Sequence, residues 1–179
     1  MTGTVMEYAL GNVLRFFAAL LPFLLSVLLV GVANLPLSLT GGLLPAPILA
    51  LGSVYFWLLL RPDLMPAIAV LMIGLLEDLV SGGPPGLWTA GFIAAYSFTE
   101  RQRDVLEGLS SLGTLIGFAG AVLIAALVAY ALAWAVFLRA PPVAPLMLEC
   151  VMTVLLYPLI ALPSGWILRR VVGPMRDSE

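Results

Sequence analysis

The chain has no histidine and no lysine. All eight of its cations are arginine, and it has one cysteine, Cys150. Without histidine it lacks the commonest general base and metal ligand near neutral pH. Without lysine it offers neither a Schiff-base amine nor a P-loop cation. A lone cysteine makes no intrachain disulfide and no cysteine-rich metal site. Charge of either sign is scarce: 10% of 179 residues, net −2, with no basic cluster of the kind that marks a nucleic-acid partner. The composition therefore predicts no catalytic residue, no cofactor and no metal site. What chemistry remains falls to a few carboxylates and hydroxyls. Apolar residues, in contrast, make up 62% of the chain, where a soluble domain has roughly 45–50% apolar and about 25% charged residues. A chain of this size has too little interior to hide that much apolar surface from water. The expected class is an all-α integral membrane protein, a single transmembrane domain without a soluble domain.

The charge-free intervals count the spans. Phe16 to Leu60 carries no charge over 45 residues, enough for two helices of about 20 residues each. Thr40-Gly41-Gly42 and the prolines at 45 and 47 divide them. The predicted helices are 15–38, 44–61, 64–79, 86–99, 109–138 and 145–168. Residues 1–14 read as an interfacial helix or as a frayed start to the first span. The polar run from Glu100 to Glu107 reads as a solvated connection, and Pro141-Pro142 closes the fifth helix. With both termini in the cytoplasm, seven of eight arginines fall inside and only Arg139 outside, the asymmetry that sets orientation in membranes.

The stretch with most information runs from Gly74 to Gly86, Gly-Leu-Leu-Glu-Asp-Leu-Val-Ser-Gly-Gly-Pro-Pro-Gly. Two carboxylates, Glu77 and Asp78, end an apolar helix. A turn holding Gly82, Pro84 and Gly86 follows, and then another apolar helix. At ~1.5 Å per residue the third segment is about 24 Å long, shorter than a hydrocarbon core of about 30 Å. The turn then lies below the surface, or the bilayer adapts. Asp78 is placed to accept hydrogen bonds from the free N–H groups of the next helix. Two readings stand: an ion, proton or substrate site, as intramembrane carboxylates often are, or a fastener, with Asp78 holding the loop and Glu77 near the interface. Adjacent on a helix, the two point about 100° apart and do not face one ligand together.

This stretch resembles the rod shape-determining protein MreD family, which carries a Gly-x-x-x-Asp signature followed by a Gly- and Pro-containing turn at the end of its third hydrophobic segment. The matching residues are Gly74, Asp78, Gly82, Pro84 and Gly86, with Pro85 where the family often has leucine. The resemblance implies a fold similar to the six-helix substrate-binding subunits of energy-coupling-factor transporters. It implies a non-catalytic scaffold in the bacterial inner (cytoplasmic) membrane, part of the cell-elongation (rod) complex that positions peptidoglycan synthesis and maintains cell shape. The partner it implies is a bitopic MreC-like protein and, through it, the MreB filament, RodA and a class B penicillin-binding transpeptidase. The transporter likeness supplies the alternative, a small-molecule-binding membrane subunit. Those subunits usually show Ala-x-x-x-Ala in the first helix, whereas here Ala19 is followed four residues later by Phe23.

In the fifth segment Gly113, Gly117, Ala121, Ala125, Ala129 and Ala133 recur at every fourth position. Small residues at this spacing let helices approach closely, so the stripe is either internal packing or a docking face for a partner's helix. Glu149 and Arg139 are candidates for an ion pair at the outer interface. Trp57, Trp88, Trp134 and Trp166 fall near span ends, where tryptophan anchors helices at the interface.

Overall fold

The computed structural model describes residues 20–35 and 45–172. The expected elements over residues 1–19, the first turn at 36–44 and the C-terminal tail lie outside them. Among the described residues the chain is helical without strands. It forms α1 (Leu20–Ala33), α2 (Leu49–Leu60), α3 (Ala67–Ser81), α4 (Leu87–Glu107), α5 (Ser111–Phe137) and α6 (Val143–Ile167). A π-helical turn, Leu168–Val172, continues α6. Two elements, α5 and α6 with its extension to Arg170, are long and apolar enough to cross a bilayer; α1 and α2 are shorter apolar helices.

Local chemistry sets the boundaries. The third helix starts at Ala67 rather than 64 because Pro62–Leu64 forms a 3-10 turn and Pro66, fixed in an extended conformation, takes the N-cap. The expected loop from Glu100 is helix instead. Glu, Arg, Gln and Leu are strong helix formers, so α4 runs two turns past its apolar part and stops at Gly108. Ser110 caps α5, its Oγ accepting from the Gly113 N–H at 3.4 Å. That helix closes at Leu138 in the left-handed region, φ 53°, before the proline pair.

Apolar in every direction, α2 is buried all round, as such a helix must be in any surrounding other than lipid. Only twelve residues long, it sits at the centre against α4, α5 and α6. Tyr55, Phe118 and Tyr157 join three helices here, with Phe118 and Tyr157 stacked at 4.4 Å. Trp57 is fully buried and Trp88 nearly so, so only Trp134 and Trp166 keep the exposed position expected of interface anchors.

The small-residue stripe lies inside the bundle. Ala121, Ala125, Ala129 and Ala133 are buried, and a Cβ on Gly91 of α4 would stand 2.9 Å from the Ala125 carbonyl oxygen. Gly117 faces Leu106 and the Tyr55 hydroxyl, where a Cβ would come within 2.6 Å of the oxygen; Gly113 packs on Leu109. The stripe is thus occupied by α4 and α2. Exposed apolar side chains lie on the outer faces of α1, α3, α5 and α6; on α6, Val143, Met147, Val151, Leu155, Leu159, Leu162 and Trp166 form a continuous outward row.

The connections place the helix ends at two poles. At one, Asn34, just after α1, bonds Glu77 of α3, and the Ile48 N–H at the start of α2 donates to Thr153 of α6. At the other, Arg103 of α4 donates to the Leu59 carbonyl of α2 (3.2 Å), and Leu60, Ser111 and Arg169 line one groove.

Candidate functional site: the acidic α3–α4 turn

Asp78 lies in the last turn of α3 and is 2% exposed. Its Oδ1 accepts from the Trp88 N–H at 2.7 Å. Its Oδ2 accepts from the N–H groups of Gly86 (2.8 Å) and Thr89 (3.1 Å) and from the Thr89 hydroxyl (2.6 Å). The reason for this arrangement lies at residue 86. Gly86 takes φ 98° at the N-cap of α4 and has no side chain to cap with. A helix start carries four N–H groups without intrahelical partners, and here every one is accounted for. Gly86, Trp88 and Thr89 donate to Asp78 and Leu87 donates to the Pro84 carbonyl; the Ala90 N–H then makes the first intrahelical bond, to the Gly86 carbonyl. The cap comes from the preceding helix, across a turn that Gly82 opens at φ 71°. A carboxylate there also meets the positive end of the α4 dipole.

Gly74 explains the other half of the signature. It precedes Asp78 by four residues and shares its face of α3. A Cβ on Gly74 would sit 2.8 Å from the Thr89 Cα and 3.4 Å from its nitrogen. Without a side chain at 74, α3 and α4 come close enough for Asp78 to reach the N–H groups.

Glu77 is buried inside the bundle at 4% exposure. It points to α1, as the 100° offset from Asp78 requires. Its Oε1 accepts from Asn34 Nδ2 at 3.0 Å, while Oε2 is buried with no hydrogen-bond partner among the described residues. Asn34 also donates to the Val30 carbonyl. Glu149 of α6 is near enough for its charge to interact with that of Glu77. The expected pair with Arg139 is not formed. Arg139 is exposed beyond the end of α5, and the ion pair found among the described residues is Arg61–Asp63 at 2.8 Å. There the Arg61 guanidinium holds the Asp63 carboxyl below the usual carboxylate range, first through its hydrogen bond.

The structure brings Gly74, Asp78, Pro84 and Gly86 together as one fastener and leaves Glu77 outside it. Sequence reasoning missed Thr89, which gives Asp78 two of its bonds; a hydroxyl three residues after a glycine N-cap was the available signal. It also missed Asn34, Thr153 and Arg103, single polar residues whose partners lie 43, 105 and 44 positions away. No group of three or more metal-ligating side chains forms among the described residues. Compared with protein-family models, curated proteins and solved structures, the chain finds no match.

Proposed function

We propose that this chain is a non-catalytic membrane scaffold of the MreD type. It crosses a bacterial inner membrane six times with both termini in the cytoplasm and holds a bitopic MreC-like partner by that partner's transmembrane helix. Through the partner it reaches the MreB filament, RodA and a class B penicillin-binding transpeptidase. The observation that carries the reading is the α3–α4 turn. The Gly-x-x-x-Asp and Gly residues on which the resemblance rests act as one geometric unit: Gly74 admits α4, Asp78 caps it, and Gly86 makes the turn. One further fact supports it. Arg61, Arg103 and Arg169 belong to one pole and the Glu77–Asp78 turn to the other, the distribution the positive-inside rule asks for. The short helices α1 to α3 cross where the bilayer thins around them or where their ends lie below its surface.

The partner helix lies on the outer half of α5 and α6. An apolar groove of about 280 Å³ there is lined by Leu123, Leu127, Tyr130, Met147 and Val151. A helix fits such a lining better than a polar small molecule does, which disfavours a transport subunit. The buried stripe on α5 is already occupied and is not the docking face. The test is co-purification of the MreC-like partner from bacterial membranes. Leu123→Trp and Val151→Trp, both at exposed positions, are expected to abolish it without changing helicity. Ile68→Trp on the exposed side of α3 is expected to leave it intact. Undiminished co-purification by the first two variants refutes the assignment.

A further inference from the structure

On the opposite pole, a second groove of about 580 Å³ opens between α2, α5 and α6. Phe56, Leu60, Leu115 and Leu162 form its walls and the stacked Tyr157 part of its floor; Ser111 and Arg169 stand at its end. From Tyr157 to Arg169 α6 advances twelve residues, about 18 Å, close to one leaflet of a hydrocarbon core about 30 Å thick. Along α6 the lining therefore runs about one leaflet deep, against shorter stretches of α2 (Phe56–Leu60) and α5 (Ser111–Leu115), and Arg169 is its one charged member. Arg169 has no hydrogen-bond or ion-pair partner among the described residues, and it sits with Arg170 in the π-helical turn that continues α6. A guanidinium forks onto phosphate oxygens with two parallel hydrogen bonds. Basic pockets between transmembrane helices on the cytoplasmic side suit anionic headgroups.

We infer that this groove seats one anionic phospholipid of the cytoplasmic leaflet, its acyl chain along Phe56, Leu115 and Leu162 and its phosphate on Arg169. The inference rests on the membrane reading above but not on the partner assignment. Leaflet-matched depth and charge at one end only fit a lipid better than a crossing helix.

The experiment is native mass spectrometry of the full chain released from nanodiscs of phosphatidylglycerol or of phosphatidylcholine. Wild type is expected to retain one phosphatidylglycerol and to hold phosphatidylcholine weakly. Arg169→Gln is expected to lower phosphatidylglycerol retention about five- to tenfold, as loss of one interfacial arginine contact implies. Arg170→Gln, whose side chain does not line the groove, is expected to match wild type. Gly165 has only ordinary contacts around a Cβ, with Phe56 at 3.8 Å, so Gly165→Leu fills the groove and is expected to remove the bound lipid at unchanged helicity. Equal retention of the two lipids, equal loss in both arginine variants, or wild-type retention by both Arg169→Gln and Gly165→Leu overturns the inference. Co-purification of the bitopic partner by Arg169→Gln is expected to be normal, so the lipid site and the scaffold reading fail separately.

Discussion

Replacing Asp78 by alanine tests the α3–α4 fastener directly. The substitution removes the acceptor of the Gly86, Trp88 and Thr89 N–H groups and of the Thr89 hydroxyl. The Trp88 N–H is buried, and stranding one buried donor costs about 1–3 kcal/mol. Loss of a helix cap costs about 0.5–2 kcal/mol. The Gly86 N–H and Thr89 groups are only partly buried and recover some bonding from water. Against these stands relief from desolvating a carboxylate. The expected net loss is about 3–4 kcal/mol, or a fall of about 6–16 °C in Tm for a chain of this length. Asp78→Asn keeps one carbonyl oxygen and turns an NH₂ toward donors, so it falls between wild type and alanine. The assay is thermal unfolding in mild detergent, followed by circular dichroism and by exposure of an Ala95→Cys thiol in a Cys150→Ser background; position 95 lies deep in α4 at 2% exposure. A loss below about 1 kcal/mol, inside the range of a single exposed cap, means that the fastener does not hold the hairpin.

Three further outcomes follow from the geometry. Gly74→Ala puts a methyl 2.8 Å from the Thr89 Cα, and Gly91→Ala puts one 2.9 Å from the Ala125 carbonyl oxygen. Each is expected to lower stability by about 1–3 kcal/mol, as overpacking does, in the same unfolding assay; a neutral result contradicts the close helix approach. Single cysteines at Ser81 and Gln102, both exposed, are expected to react with an impermeant maleimide from opposite sides of sealed vesicles, and labelling from one side ends the six-span arrangement. Asp63 has a folded-state pKa below its usual value. Its contribution is therefore full above the unfolded value of about 3.9 and lost as pH falls through the lower folded value. The difference in Tm between wild type and Asp63→Asn is expected at pH 6 and to shrink toward zero at the acid end. Its persistence there would point to a contribution other than the Arg61 pair.

What the sequence made legible was what local chemistry controls. The polar run to Glu107 and the Pro141-Pro142 pair bound α5 close to its observed ends, and the fastening role of Asp78 followed from a carboxylate before a glycine-rich turn and a new helix. The polar end of α4 misled, because charge was read as loop while helix propensity and the Arg103–Leu59 bond both favour helix. Trp57 misled because closeness to a span end in sequence says nothing of whether the span faces lipid or protein. Glu77 is bonded by Asn34 inside the bundle, a partner that no sequence pattern marks. Asn34, just after α1, is 43 positions earlier, beyond any local pattern.

The enclosed position of α2 has a consequence for biogenesis. About 18 Å long at twelve residues, it is too short to rest in lipid by itself. Its two ends are tied by residues made much later: the Ile48 N–H by Thr153, the Leu59 carbonyl by Arg103. During synthesis the ribosome has to pass residue 153 before both ends are closed, so in the proposed membrane arrangement α2 would leave the insertion machinery as an incomplete span. Its final seat is formed by helices that arrive after it. The seat of α2 is completed by the C-terminal half of the chain, and a chain cut after α4 keeps the Arg103–Leu59 tie but lacks the α5 and α6 that close over the rest of α2.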